Sequence, residues 1–334
     1  MEILYSEIEK ELKNIPKSIG VFALKVGNTP LFIKSTENLQ KFISVYCDKI
    51  TDDNFLKEIQ AKAKIVWYQE HSLLIEAFIE EQILIHKNEI AAQINNFKPW
   101  SKYIYLGVNF DRPPFFKVSP DTTEDYYYLG PFRSSFVLND TLDVFSDLFK
   151  LPRCEMSYPM EIKNIDCDRL KNEKCLGFCQ NKLSEALPEM LNRMVMLPDK
   201  KLIIRLEAEK EALKDNLEFL KADHLSEQIS LLKRYYKSLL FFYTSQYIEG
   251  EFKINDTTLF VEQGVIKEIV ANNDYVELFH PSLSNRKNNE LLAYDKSDFD
   301  HRWIVFDYIY ETYPEQIESL YIDNLQELQE KIFK

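Results

Sequence analysis

Arginine is missing from the front of this 334-residue chain: the first is Arg112, and all twelve cationic side chains among the first hundred residues are lysines. That excludes a planar guanidinium fork as a phosphate clamp in this region and leaves only point charges. Glycine is scarce at 7 residues, which excludes collagen-like and low-complexity architectures. No run approaches the roughly 18 uncharged apolar residues that a membrane-spanning helix needs. The opening "MEILYSEIEKELKNIPKS" reads as an acidic amphipathic helix instead of a basic, apolar export signal, so a cytoplasmic protein with no membrane partner is expected. A basic surplus is also lacking, since the formal net charge is -13.

What is present describes a globular chain rich in helix, 45% hydrophobic and 28% charged, with length for two or three domains. The negative charge is uneven. Residues 251–334 hold 8 Lys+Arg against 17 Asp+Glu, whereas residues 1–250 hold 33 against 37. The front three quarters is close to neutral, which neither indicates nor forbids phosphate binding.

Hydrophobic periodicity gives the order of elements. "GVFALKVGNTPLFIK" alternates as two strands around the turn residues of "GNTP", and helices follow near 36–47 and 54–63. "AKIVWYQE" reads as a strand, and Leu74, Ala77, Phe78, Glu81 and Ile85 share one face of the next helix. The result is a ββααβα block of about a hundred residues. Short strands are expected over 101–130, ending in a Gly-Pro turn in "YYYLGPFRSS", with a helix over 136–149. A helix over 184–196 comes next. Residues 200–245 form a pair of antiparallel helices broken near "KADH", with Leu206, Leu213, Leu217, Leu225, Ile229 and Leu232 as the seam. Strands near 251–255, 258–263 and 265–270 precede a polar loop, "SLSNRKNNE", and a helix from Asp300.

In this order the segments resemble the N-terminal half of the UvrC family, the incision nucleases of bacterial excinuclease ABC, whose first domain is a GIY-YIG nuclease. "IPKSIGVFALK" resembles the opening strand of that family, "PLFIKSTENLQKF" its second strand and first helix, and "EAFIEEQILI" its metal-ligand helix. "YYYLGPFRSS", "LFKLPRC" and "CLGFC" are similar to further family segments, and "LEFLKADHLSEQISLL" to the helical hairpin that binds the excinuclease helicase, UvrB. The acidic tail has a weaker likeness to the C-terminal part of exonuclease and GIY-YIG fusion proteins. The resemblance implies an α+β chain of five segments: a GIY-YIG-like domain at 1–100, a connecting β/α segment at 101–150, a four-cysteine segment at 151–185, the hairpin at 186–245 and an acidic α+β domain at 246–334.

In the family a tyrosine on each of the first two strands, an arginine on the first helix and one metal-bound glutamate act on the scissile phosphate. The matching positions here are Phe22, Phe32, Phe42 and Glu81, and Lys34 stands where the second strand's signature has glycine. Phenylalanine cannot move a proton or hold a developing charge. Losing the first function costs roughly 100- to 10,000-fold and losing the second about 100- to 1,000-fold. Lys34, Lys41, Tyr46 and Tyr68 are the candidate surrogates, and Mg2+ or Mn2+ enters only if the nuclease works. Glu81 alone is a poor metal site, and a solvated or lysine-paired carboxylate is the plainer reading. A hydroxyl and a cation converging beside Glu81 would overturn the reading of a site stripped of its chemistry.

Cys154, Cys167, Cys175 and Cys179 fall within 26 residues, while Cys47 stands apart. In a reducing compartment this grouping suits four thiolates around one centre, and zinc and an iron-sulfur cluster both accept that donor set; four ordinary buried thiols are the plain alternative. The resemblance implies a four-iron four-sulfur (4Fe-4S) cluster, with zinc as the alternative. It also assigns partner contacts to Leu217, Phe219, Ala222 and Ile229, although Ser226-Glu227 replaces the family's Arg-Asp pair, and a plain helical hairpin would show the same leucines. The expected function is DNA repair of the nucleotide excision type, through binding of DNA and a UvrB-like helicase with incision lost or greatly weakened. The rivals are an active metal-dependent endonuclease with relocated residues and a protein-interaction module without a DNA role.

Overall fold

The computed structural model of the chain describes residues 1–47, 54–88, 102–110, 114–123, 125–151, 153, 167–177, 189, 191–271, 274–278 and 292–333. It is an α+β protein with two compact units. One gathers Met1–Pro99, Tyr247–Pro281 and Asp300–Pro314; the other gathers Trp100–Gln246, Ser282–Phe299 and Glu315–Lys334.

Along the chain the first elements are β1 (Glu2–Leu4), α1 (Ile8–Glu11), β2 (Gly20–Val26), β3 (Thr29–Thr36), α2 (Leu39–Cys47), α3 (Asn54–Lys62), β4 (Ile65–Glu70) and α4 (Leu74–Lys87). Next come β5 (Ile104–Val108), β6 (Phe116–Ser119), β7 (Tyr127–Phe132), α5 (Ser135–Phe149), α6 (Asp168–Lys171), α7 (Lys200–Asp215) and α8 (Phe219–Thr244). The last are β8 (Gly250–Ile254), β9 (Thr257–Glu262), β10 (Val265–Ala271), β11 (Asp274–Glu277), β12 (Leu292–Ala293), α9 (Lys296–Thr312) and α10 (Pro314–Phe333).

In the first unit a sheet of order β1-β4-β2-β3 is antiparallel throughout. Period-two alternation sends Phe22, Leu24 and Phe32 to a core with α2 and α3, and Val21, Ala23 and Ile33 to a second core with Ile85 of α4. Pro30, which has no N–H to donate, lies on β3 at the sheet edge, beside a register shift at Leu24/Lys25. The expected opening helix is corrected. Residues 2–4 instead pair with β4 at Trp67, Val66 and Ile65, and only Ile8–Glu11 winds as α-helix. The outer edge of β4 offers ladder partners that a free helix would leave unpaired.

A second sheet in this unit, β11-β10-β9-β8, is an antiparallel meander. It is joined to α4 by Asn255, whose Nδ2 donates to Glu76 Oε1 at 2.7 Å, and by the Lys87–Asp274 ion pair at 2.7 Å. The His301 ring meets Phe78 edge-on at 5.0 Å. α4 is thus buried along most of its length, including Ile75, Ala77, Phe78, Ile79, Glu81 and Ile85.

In the second unit β5 pairs with β6 and β7, and β12 adds parallel to β7. The expected Gly-Pro turn is corrected: Gly130 and Pro131 lie inside β7, next to a register irregularity against β5. A side chain on Gly130, at φ 137°, would stand 2.9 Å from Tyr105 Cδ1, so the position favours glycine. α7 and α8 form the expected hairpin, but its break falls at residues 216–218, with Leu217 at φ 62°, while "KADH" lies within α8. Buried aromatic rings join α8 to α5 and β7: Phe145 and Phe132 lie 5.5 and 6.0 Å from Tyr235. The Tyr235 and Tyr243 hydroxyls donate to Val195 O and Met196 O, both at 2.7 Å.

Gly20 fixes where α2 meets the first sheet. A Cβ there would press into Gln69 O and lie 2.7 Å from Leu39 Cδ1. Gly20→Ala is expected to cost about 1–3 kcal/mol, read as a lower urea midpoint with an unchanged slope.

Candidate functional site

The positions singled out on β2, β3 and α2 form a closed aromatic cluster. Phe22 and Phe32 are fully buried, and their rings lie 5.5 and 5.3 Å from that of Tyr46. Phe42 stacks on the same ring at 6.3 Å from the next turn of α2. Tyr68 faces Phe22 across the β2–β4 ladder and joins the same core, with its hydroxyl 2.8 Å from Met1 Sδ. Burial raises its phenol pKa first, and Glu70 and Glu11 add to the shift. Lys41 lies on the exposed side of α2, where Asn38 Oδ1 accepts its backbone N–H at 2.9 Å. Tyr46 and Tyr68 thus share the core around Phe22, whereas Lys41 lies apart on the surface.

Lys34 and Glu81 do meet. Glu81 is 3% exposed, yet its carboxylate is fully engaged by neighbours from β3. Oε2 accepts the Ser35 backbone N–H at 2.8 Å and the Ser35 hydroxyl in a shorter bond, while Oε1 faces Lys34 Nζ at 3.4 Å. Alternation explains Ser35, which shares with Ile33 the strand face turned toward α4; Lys34, the ladder partner of Phe22, starts from the other face of this edge strand. Sequence reasoning missed Ser35. Its signal was a hydroxyl residue in phase with Ile33, on a face otherwise apolar.

A hydroxyl and a cation thus converge on Glu81, and this overturns the expectation of a site stripped of its polar chemistry. Their orientation decides what they can do. Both donate to the carboxylate itself, which solvent barely reaches, although the Lys34 side chain is 23% exposed. Mg2+ would need those oxygens together with waters and a phosphate. Among the described residues no group of three or more His, Cys, Asp or Glu could hold a metal.

Of the four grouped cysteines, Cys154 and Cys179 lie outside the described residues. Cys167 precedes α6, and Lys171 N–H donates to its carbonyl at 3.0 Å. Cys175 Sγ accepts the Gly177 N–H at 3.4 Å. This segment is tied to α5. Leu176 N–H donates to Lys150 O at 3.2 Å, and Arg169 Nη2 donates to Ser146 Oγ, which in turn donates to Leu151 O at 2.6 Å. Arg153 grips the same helix through Asn139 Oδ1 at 3.5 Å and Asp143 Oδ1 at 3.1 Å. Asn139, Asp143 and Ser146 follow i, i+4, i+7 spacing, so one polar stripe of α5 holds the arginines next to Cys154 and Cys167. Cys47 is different: burial pushes its thiol up to about 12, which suits an inert core thiol.

The hairpin divides the four assigned contact residues. Leu217 and Phe219 are 74% and 56% exposed, whereas Ala222 and Ile229 are buried between the helices. Leu220, which the pattern did not single out, is 87% exposed. Lys233 Nζ donates to Glu207 Oε1 at 2.8 Å across the pair. Bonds from Lys210 and Lys233 hold the Glu207 carboxyl down at about 2.

Residues 103–187, which include all four grouped cysteines, match the family model of the UvrC/Cho excinuclease middle domain. "UvrABC system protein C" of Ruminiclostridium cellulolyticum is 26% identical over 239 residues, covering 68% of this chain and 38% of that protein. The protein of the same name from Acetivibrio thermocellus is 25% identical over 236 residues, with the same coverage of 68% and 38%. That of Rickettsia conorii is 26% identical over 243 residues, covering 70% of this chain and 37% of that protein. No solved structure matches. The chain is UvrC-like. It spans less than two fifths of the length of these relatives.

The Glu81 arrangement predicts a stability effect. Glu81→Ala leaves Ser35 and Lys34 without their acceptor and should cost about 3–5 kcal/mol in chemical denaturation. Glu81→Gln, which keeps an acceptor for Ser35, should cost less, and Glu58→Ala on exposed α3 should cost under about 1 kcal/mol. A Glu81→Ala protein as stable as the parent would mark the carboxylate as a solvent-facing ligand.

Proposed function

We propose that this chain takes part in nucleotide excision repair by binding DNA and a UvrB-like helicase, with phosphodiester cleavage lost or greatly weakened. In this reading the first unit contains a degenerate GIY-YIG domain, and Cys154, Cys167, Cys175 and Cys179 hold an iron-sulfur cluster or zinc. The observation that carries it is Glu81, whose two carboxylate oxygens accept from Ser35 and Lys34. An ammonium group from the chain itself occupies the charge-balancing role that a divalent cation would fill. The Phe22, Phe32 and Phe42 rings fill the neighbouring core with groups that cannot transfer protons.

The cysteine segment supports its part of the reading through the N–H···S bond at Cys175. A donor to that sulfur suits a thiolate ligand. A bound centre would cross-link the segment, and the stripe on α5 would hold the arginines that flank it.

The second reading, an active endonuclease, has the convergence of Lys34, Ser35 and Glu81 in its favour. A nicking assay on damaged or branched duplex DNA with Mg2+ or Mn2+ separates the two. No metal-dependent cutting above background is expected, and cutting that Glu81→Ala abolishes would establish the enzyme. DNA retention by the full chain should weaken as salt rises; its absence at low salt would favour an interaction module without a DNA role.

Partner binding has a separate signature. Changing Leu217, Phe219 and Leu220 together to serine should abolish co-elution with a UvrB-like helicase while leaving the melting temperature close to that of the parent. Ile229→Ala should instead destabilise the hairpin by about 2–5 kcal/mol. Undiminished binding by the triple variant would place the contact elsewhere.

A further inference from the structure

We propose that the outer face of the β8–β11 meander docks a cationic protein segment, one that carries lysine or arginine beside an apolar side chain.

Register defines the surface. Glu251 opposes Phe260, Phe260 opposes Glu268 and Glu268 opposes Glu277, so these side chains form one row across all four strands. In the adjacent row Lys253 opposes Thr258, Thr258 opposes Val270 and Val270 opposes Tyr275. Period-two alternation turns the intervening residues the other way: Leu259, Ile269 and Val276 are buried, and Asp274 of that inner set pairs with Lys87 of α4. The outer rows meet water. Phe260, Val270 and Tyr275 are 37%, 36% and 53% exposed.

A β-bulge sets the charge of this face. Ile266 opposes Val261, and in an unbroken ladder Lys267 would come next, opposite Phe260. The register shifts between Ile266 and Glu268 instead, so the glutamate takes that place and Lys267 leaves the row. Glu268 and Glu277 are then like charges directly opposed, an arrangement that destabilises the free sheet. Among the described residues neither carboxylate has an ion-pair partner; Lys253 and Lys267 reach Glu251 and Glu262, each at 3.9 Å. Desolvation first, and then the charges of Glu268 and Glu277, hold the Tyr275 phenol above its usual pKa. Both carboxylates therefore act on the exposed ring.

Charge complementarity selects the occupant. Glu251, Glu262, Glu268 and Glu277 share the face with one in-phase lysine, Lys253, so a phosphate backbone is repelled. A second copy docked about a two-fold axis would set the same carboxylates against each other. A small cation would leave Phe260, Val270 and Tyr275 uncovered. A protein segment with ammonium or guanidinium groups relieves the Glu268–Glu277 repulsion while its apolar side chain covers those three residues, joining charge and burial in one contact.

The test titrates the full chain with a short fluorescent peptide of alternating lysine and leucine, alongside one with glutamate in place of lysine. The parent is expected to bind the first and reject the second. Glu268→Lys should weaken binding about tenfold yet keep or raise the melting temperature, because it turns the opposed pair into an attractive one. Phe260→Ser should weaken binding to a similar extent, and Tyr275→Ser decides in the same way where Phe260→Ser lowers the melting temperature. Glu58→Lys, the same charge change on α3, should leave binding unaltered. No binding by the parent overturns the proposal, as does equal weakening by Glu58→Lys, or undiminished binding by Phe260→Ser and Tyr275→Ser. A parent dimer that Glu268→Lys dissociates in light scattering assigns the face to a second copy and overturns it. DNA retention lost in Phe260→Ser with peptide binding intact assigns the face to nucleic acid, with the same result.

Discussion

The bond between the Glu81 carboxylate and Ser35 holds the first unit in register. It joins the middle of α4 to the edge strand β3 by two donors from one residue, in a place that excludes solvent. A carboxylate taken out of water is costly unless its lone pairs are met, and here they are met by the chain alone. Lys34 supplies the countercharge from the neighbouring strand position. A metal-binding glutamate must keep its oxygens available to solvent and substrate. A structural one must turn them inward, and that distinction separates the two functional readings of this chain.

Much of the architecture was legible from periodicity. The β2–β3 hairpin, α4 and the first three strands of the C-terminal meander follow from alternation and helical spacing, and each phenylalanine at a family position is where an apolar side chain packs. What was not legible depended on groups distant in sequence or on local conformations that propensity disfavours. Ser35 acquires its meaning only when α4 lies over it, 46 residues later. The hairpin breaks at Leu217, a branched residue in the left-handed region, where a reading by composition favours the polar run at 221–224. Gly130 and Pro131 look like a turn in isolation, but the neighbouring strand accommodates them through a register irregularity.

The acidic C-terminal region illustrates the same point at larger scale. Its composition suggests an appendage able to compete with phosphates. In the first unit, however, the meander contributes Asn255 to Glu76 and Asp274 to Lys87, so some of its polar groups are already engaged by α4. The His301 ring on Phe78 extends that contact to a further element. Asn255, Asp274 and His301 thus pack against the helix that carries Glu81, which restricts the solvent access on which hydrolytic chemistry depends.

The contrast among the segments gives the functional argument its direction. At Glu81 the carboxylate is buried and accepts from Ser35 and Lys34. At the hairpin tip Leu217, Phe219 and Leu220 remain in water beside a seam that has already buried Ala222 and Ile229. Exposed apolar side chains at a turn, next to residues of the same type that are packed, are better accounted for by an external surface than by the hairpin's own stability. Unmet binding capacity therefore lies in the segment suited to a partner, while the segment resembling a nuclease has used its polar groups to hold itself together.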